Sequence, residues 1–236
     1  MNCLILAAGQ GSRLRELSPS KPLTPVAGIP LIEHVVTAAA AAGARNVLVV
    51  TGHEADRLEA FLATLPDRLG IALSWTRTAD WTRPNGFSLL SGADRLDGDF
   101  LLTMADHLFD PEIARRLLRA APKDTGLLLA VDRDLASPLL DMDDATKVET
   151  GAGGAIVRIG KTLAAFDAID TGLFRVTPAL ADALRDDIAA GGGGSLSEGV
   201  QRLADQGRAH VVDVTGCRWL DVDDPRSLAL AEQLYG

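Results

Sequence analysis

The sequence predicts an α/β fold: a Rossmann-like, mostly parallel mixed sheet with helices on both faces and a small β-rich subregion at its ligand edge. Three observations carry this expectation. Short, unbroken apolar runs alternate with helix-type patterns through the first half of the chain. That β-α-β-α rhythm is what parallel strands joined by crossover helices produce. After Leu118 the rhythm gives way to strand-like runs separated by Gly-rich turns.

Each element follows from its own residues. Leu4–Ala7, Val47–Thr51, Ala72–Thr76 and Phe100–Met104 are continuous apolar runs, as strands covered on both faces should be. Between them lie helix patterns at Leu31–Ala42, closed by Gly43, at Ala55–Leu65 and at Phe87–Leu96. Right-handed crossovers then put the ligand-binding loops at the C-terminal ends of the strands. Gly126–Val131, Thr146–Val148, Ala155–Ile159 and Thr171–Val176 read as further strands that extend the sheet. Pro178–Ile188 and Leu196–Ala204 read as helices, and the Gly191–Gly194 run between them as a flexible surface loop, or in a sharper reading a hinge. The chain closes with a strand at 219–222, an Asp224-Pro225 cap and a helix to Tyr235.

With 236 residues the chain is long enough for one full core. Hydrophobic residues at 47% and charged residues at 23% exclude global disorder. Lys and Arg number 23 against 32 Asp and Glu, a net charge of −9, so the bulk surface repels nucleic acid. An anionic ligand must therefore meet a local cationic cluster or a metal. Cys3 and Cys217 sit in apolar stretches that read as strands, without a disulfide framework or metal-binding pair. The first residues lack a secretory signal pattern. No apolar run approaches the roughly 20 residues of a membrane span. A cytoplasmic protein is the expectation.

Chemistry concentrates in three segments. The first, Leu6-Ala7-Ala8-Gly9-Gln10-Gly11-Ser12-Arg13-Leu14, runs off the first strand. Its glycines let backbone approach a ligand closely, and successive N–H groups can cradle phosphate oxygens. Leu14 stands where a dinucleotide fingerprint needs its third glycine, and no Gly-Lys-[Ser/Thr] of a P-loop follows, so a Rossmann oxidoreductase fits poorly. Arg13, Arg15 and Lys21 against the single acid Glu16 make a cationic island suited to polyphosphate, where the bland reading is a solvated loop. The second segment, Leu101–His107, is a strand ending in Asp106. Asp110 is already placed to cap the following helix, which leaves Asp106 for a divalent cation. His107 fits a packed role as well as a functional one. The third, Trp219-Leu220-Asp221-Val222-Asp223-Asp224, alternates so that Asp221 and Asp223 share a face.

LAAGQGSRL followed by SKPL resembles the nucleotidyltransferases that join a nucleoside triphosphate to a phosphorylated small molecule. The series Asp144–Val148, Ile159–Lys161 and Ala168–Phe174, with Ala105-Asp106-His107 and Trp219–Asp223, narrows the likeness across nearly the whole chain. It resembles the CTP:inositol-1-phosphate cytidylyltransferases, with their nucleotide-diphospho-sugar transferase fold. The resemblance implies a single domain, 1–236. Residues 1–120 would bind nucleotide; 121–236 would bind the acceptor and supply a second metal ligand. Leu6, Ala7, Ala8, Gly9, Gly11, Ser12, Arg13 and Lys21 would wrap CTP and its phosphates, with Asn85 and Gly86 reading the base. Asp106, together with Asp223 or, next in order, Asp221, would hold Mg²⁺. Lys147 and Lys161 would contact substrate phosphates, and Asp170 the acceptor hydroxyls or the metal site.

The implied reaction is in-line displacement by an acceptor phosphate oxygen at the α-phosphorus of CTP, releasing pyrophosphate. A phosphomonoester is already largely dianionic at pH 7, so no general base is required. Two departures stand out. Arg83-Pro84-Asn85-Gly86 replaces the Gly-Asn-Gly common in the family. The chain also stops where many members continue into a membrane domain, so a later phosphodiester-forming step would belong to a separate membrane transferase. Alternatives are a phosphocholine cytidylyltransferase, with Trp75 and Trp81 as cage candidates, a sugar-1-phosphate uridylyl- or guanylyltransferase, and a non-catalytic nucleotide-binding regulator. The sequence leaves the oligomeric state open.

Overall fold

A computed structural model describes residues 1–14, 18–120 and 125–236. Arg15 and Glu16 of the cationic island lie outside the described residues. The strands are β1 (Asn2–Ala7), β2 (Pro25–Val26), β3 (Ile29–Pro30), β4 (Asn46–Thr51), β5 (Ala72–Arg77), β6 (Phe100–Met104), β7 (His107–Phe109), β8 (Leu127–Asp132), β9 (Lys147–Thr150), β10 (Ile156–Gly160), β11 (Ala168–Val176), β12 (Ala209–Asp213) and β13 (Trp219–Asp221). The helices are α1 (Leu31–Ala41), α2 (Ala55–Leu62), α3 (Leu65–Leu69), α4 (Asn85–Ala93), α5 (Pro111–Arg119), α6 (Ala179–Ala189), α7 (Leu196–Asp205) and α8 (Pro225–Tyr235).

Nine strands form one sheet. β5, β4, β1 and β6 run parallel, and β11 joins β6 antiparallel. On its other edge β11 meets β8, which pairs in parallel with β12. The start of β11 also carries β9, and β10 follows β9 as a hairpin. A separate two-stranded ribbon, β7 with β13, sets Asp221 directly opposite His107.

Strand alternation sorts β1 between two cores. Leu4 and Leu6 join Val50, Leu89, Leu184 and Val200 on one face, while Cys3, Ile5 and Ala7 join Ile32, Val36, Leu58 and Leu117 on the other. Helices thus cover both faces, which is why these strands read as unbroken apolar runs. A third cluster, around Leu14, Leu31, Leu108, Leu220 and Val222, seats α8 beneath the β7–β13 ribbon. Helix starts follow their caps: Asp110 accepts from Glu112 N at 2.8 Å, and Asp224 accepts from Ser227 N at 2.7 Å.

Three expectations change. The single helix expected over Ala55–Leu65 is two, because Pro66 brings no N–H and so occupies the first turn of a new helix, α3. Cys217 lies in a bend before β13, held by its N–H to the Val214 carbonyl at 2.9 Å, rather than in a strand. The Gly191–Gly194 run is a pinned turn. Gly192 N donates to Asp187 O, Gly193 N to Glu198 Oε1 and Gly194 N to Asp187 Oδ2. A Cβ at Gly194, whose φ is +75°, would lie 2.6 Å from the Phe87 ring. At the hairpin edge, the Gln201 side chain from α7 accepts from Ile159 N at 3.1 Å and donates to Val157 O at 3.0 Å. It imitates a neighbouring strand along β10.

Candidate active site

The site is built where the C-terminal ends of β1 and β6 meet the β7–β13 ribbon. After β1 the chain turns through Gly11, whose φ of +61° is left-handed. A Cβ there would lie 2.5 Å from the Lys21 stem, so only glycine lets Lys21 pass behind the loop. Lys21 is 6% exposed, and its ammonium bridges one oxygen each of Asp106 and Asp223. Arg13, on an exposed 3-10 turn, donates to Asp223 Oδ2 at 2.9 Å and to Asp144 Oδ2 at 2.5 Å. Lys161 binds the other oxygen of Asp144. At the far end His107 Nδ1 lies 2.8 Å from Asp106 Oδ1, and Nε2 lies 3.7 Å from Asp221 Oδ2.

The result is one chain of alternating charge: Lys161, Asp144, Arg13, Asp223, Lys21, Asp106, His107, Asp221. Its local fields are strong. Burial disfavours the charged form of Asp106, but Lys21 and His107 outweigh it and hold the carboxyl below its ordinary range. Lys21 is likewise desolvated, yet Asp106 and Asp223 raise its affinity for the proton. Burial opposes the charge on His107, and Asp221 and Asp106 still lift its pKa to about 10. Asp221 goes the other way: burial first, then Asp106 and Asp223, make it a weaker acid. Its Oδ1 is buried without a hydrogen-bond partner.

Two hollows open on this line. The smaller, about 190 Å³, is lined by Leu6, Ala7, Gly9, Gly11, Lys21 and Asp106 among others. The larger, about 370 Å³, runs from Arg13, Asp106 and His107 past Asp144, Lys161 and Asp170 to Asp132 and Trp219. Asp170 takes the Gly172 N–H at 2.7 Å, and burial pushes its pKa up to about 6. Gly172 is at φ +75°, and a Cβ there would strike the His107 ring at 2.0 Å. This glycine holds the imidazole against β11.

The expected residues divide. Arg13, Lys21, Lys161, Asp106, Asp170, Asp221 and Asp223 converge on the two hollows. Lys147 lies elsewhere: its ammonium donates to Met142 O at 2.7 Å, Lys161 O at 2.8 Å and Ala145 O at 3.4 Å. The carbonyls engage its three protons, so Lys147 staples the loop that carries Asp144. Ala8 and Ser12 line neither hollow; Ala8 O accepts from His53 N at 2.9 Å, and Ser12 is exposed on its turn. Asn85 lines the larger cleft, but its Oδ1 accepts from Leu196 N at 2.8 Å, and a Cβ on Gly86 would lie 2.3 Å from Gly194 O. That pair is first of all a joint between α4 and the pinned glycine turn. Trp75 and Trp81 line neither hollow; among the described residues Trp219 is the only Trp, Tyr or Phe ring in the larger one.

Sequence reasoning missed Asp144 as a bridge and Trp219 as a wall. Trp219 could have been found, since strand alternation puts it on the face of Asp221. Its indole N–H donates to Asp132 Oδ2 at 2.9 Å.

The two carboxylates beside His107 fit a hard divalent cation, while the imidazolium, protonated between them, offers it no lone pair. One oxygen each from Asp106 and Asp221 and a His107 nitrogen lie within 4.8 Å of one another. The unpartnered Asp221 Oδ1 marks carboxylate capacity that the protein itself does not use. Asp223 shares Lys21 with Asp106 and stands on the other side of that ammonium.

The site is thus a mixed α/β sheet with a glycine turn and a cation–carboxylate line at its strand ends. A model of the MobA-like NTP transferase domain matches residues 3–150, and the chain belongs to that family. It is 35% identical over 235 residues to a bifunctional IPC transferase and DIPP synthase of Rubrobacter xylanophilus, covering 98% of this chain and 51% of the relative. It is 32% identical over 248 residues to a CMP-5'-(3-aminopropyl)phosphonate synthase of Streptomyces rubellomurinus, covering 95% of this chain and 37% of that one. The chain thus spans about half or less of the length of these curated relatives. Its fold matches the inositol-1-phosphate CTP transferase from T. maritima with a TM-score of 0.85 at 23% identity, covering 100% of this chain and 96% of the other. Among the described residues no helix is long and apolar enough to cross a membrane.

Proposed function

We propose that the protein transfers the cytidylyl group of CTP to the phosphate of a small phosphorylated polyol, inositol 1-phosphate, giving CDP-inositol and pyrophosphate. One observation carries this reading: the charge line joins a glycine-lined hollow at the β1 end to a cleft whose inner wall offers the carboxylates of Asp170 and Asp132 and, among the described residues, a single Trp, Tyr or Phe ring, Trp219, where a cage for a quaternary ammonium needs several. Phosphates fit the Arg13, Lys21 and Lys161 side, and polyol hydroxyls fit the carboxylate side. Residues 1–120 form the nucleotide half, and residues 121–236 form the acceptor half.

Asp106 with Asp221 or Asp223 would hold Mg²⁺, which supplies charge neutralisation on the triphosphate. The protein's own groups do the rest. The Gly9–Gly11 backbone admits the phosphates closely, and Lys21 and Arg13 counter the negative charge that grows on the departing pyrophosphate. Lys161 draws in the acceptor phosphate. His107 orients Asp106 and shields Asp221. The attacking phosphate arrives deprotonated, so catalysis is alignment and charge stabilisation.

A second acceptor class has its own support. Nine aspartates line the larger cleft against four Lys and Arg side chains, a balance that also suits an amine-bearing phosphonate. That is the kind of compound the Streptomyces relative's name describes. Pyrophosphate release with Mg²⁺ separates the readings. The four nucleoside triphosphates are tested against inositol 1-phosphate, 3-aminopropylphosphonate, phosphocholine and glucose 1-phosphate. Release with CTP and inositol 1-phosphate alone is expected. Release only with another acceptor moves the specificity, and release with none overturns the reading.

A further inference from the structure

Asp144 lies in the loop between β8 and β9, and both of its carboxylate oxygens are engaged by cations from different parts of the molecule. One takes the Lys161 ammonium of the acceptor hairpin; the other takes Arg13 Nη2 of the nucleotide loop at 2.5 Å. The Arg13 and Lys161 side chains remain 47% and 57% exposed, against 28% for Asp144. Exposed ion pairs are weak, so a dianionic phosphate can compete for both cations. Lys161 and then Arg13 hold the Asp144 carboxyl down to about 2, so it is ionised wherever the enzyme would be assayed. Lys147 fixes the loop around it through Ala145 O and Met142 O.

The geometry points to Asp144 as a positioning residue: its carboxylate occupies the place of a bridging phosphate, aims Arg13 and Lys161 at one point, and yields that point to the substrate. This rests on the transferase reading for its kinetic consequence, though not for its binding consequence. Removing the charge should strengthen anion binding in the ground state and loosen the alignment that the reaction needs.

The test uses Asp144→Asn, with Asp144→Ala beside it so that loss of one fold does not end the experiment. Calorimetric titration with inorganic phosphate should show about tenfold tighter binding in both variants. Asp144→Glu should stay near wild type, and adding Lys161→Gln to Asp144→Asn should cancel the gain. In pyrophosphate release, KM for the acceptor should fall about threefold or more while kcat falls about tenfold. A merely structural Asp144 would instead raise KM and lower the melting temperature. Phosphate binding no tighter than wild type overturns the proposal. If the wild-type protein releases no pyrophosphate with any acceptor, the transferase reading fails, and the phosphate titration still decides the role of Asp144.

Discussion

The two ends of the charge line are held by different means. At the nucleotide end Lys21 is buried, its stem passes behind Gly11, and its ammonium sits between two carboxylates that parallel strands and a rigid ribbon position. At the acceptor end Lys161 is more than half exposed on a hairpin, and the neighbouring loop is held by carbonyl groups around one lysine. In the proposed reaction, the groups that would act on the reacting phosphorus are fixed by the core of the sheet, and those that would choose the acceptor ride on its margin, where a change of residue leaves the core untouched.

Substitutions can break this contrast or sharpen it. The largest effect is expected at Asp106: Asp106→Ala should abolish pyrophosphate release while circular dichroism keeps its native form. Near-normal turnover at ordinary Mg²⁺ would remove Asp106 from the site. Lys21→Ala should cost at least about 100-fold in kcat/KM, roughly 2.7 kcal/mol. A loss below about fivefold would make Lys21 a buried structural charge. At the margin, Lys147→Met should act through stability, lowering the melting temperature by the equivalent of about 1–3 kcal/mol as three carbonyls lose a charged donor. Its steady-state loss should be smaller than that of Lys21→Ala, and the reverse order would return Lys147 to the phosphates.

The smallest effect is a pH dependence at Asp170. Its folded pKa, about 6, is raised by burial, so the native state holds that proton more tightly than the unfolded chain does. Stability from this group is therefore present at low pH and is lost as pH rises from about 4 to about 6. Asp170→Asn removes the dependence. The stability of the variant relative to wild type, followed by melting temperature, should rise between pH 4 and pH 7 by the equivalent of about 1–3 kcal/mol. A constant difference across that range would show that Asp170 is not strained as an anion.

What could be read from the sequence follows the same division. β1, β4 and β6 announce themselves because burial on both faces leaves few polar positions, whereas β5, at the sheet edge, is partly exposed along its length and carries Ser74, Thr76 and Arg77. The carboxylate at 106 falls at a strand end, and those at 221 and 223 share a face by simple alternation. Lys147 could not be placed, because the carbonyls that hold it come from a loop whose path only tertiary contacts define. The Gly191–Gly194 turn looked slack because composition shows the glycines and hides the Asp187 and Glu198 oxygens that receive them. The Asn85-Gly86 pair likewise hides its contact with α7 and the glycine turn, more than 100 residues away. Asp144 stood within the recognised series, but a bridge between two distant cations has no local signature.

The Gln201 side chain on β10 has a consequence for the chain in company. An open strand edge carrying an exposed Val157 is a template for another molecule's strand. One amide satisfies both a donor and an acceptor on that edge, so a second copy would have to displace it before pairing. Gln201→Leu keeps the bulk of the side chain and surrenders both bonds. It turns the quietest margin of the sheet into its adhesive one, and concentration-dependent light scattering would register the change before any assay of turnover did.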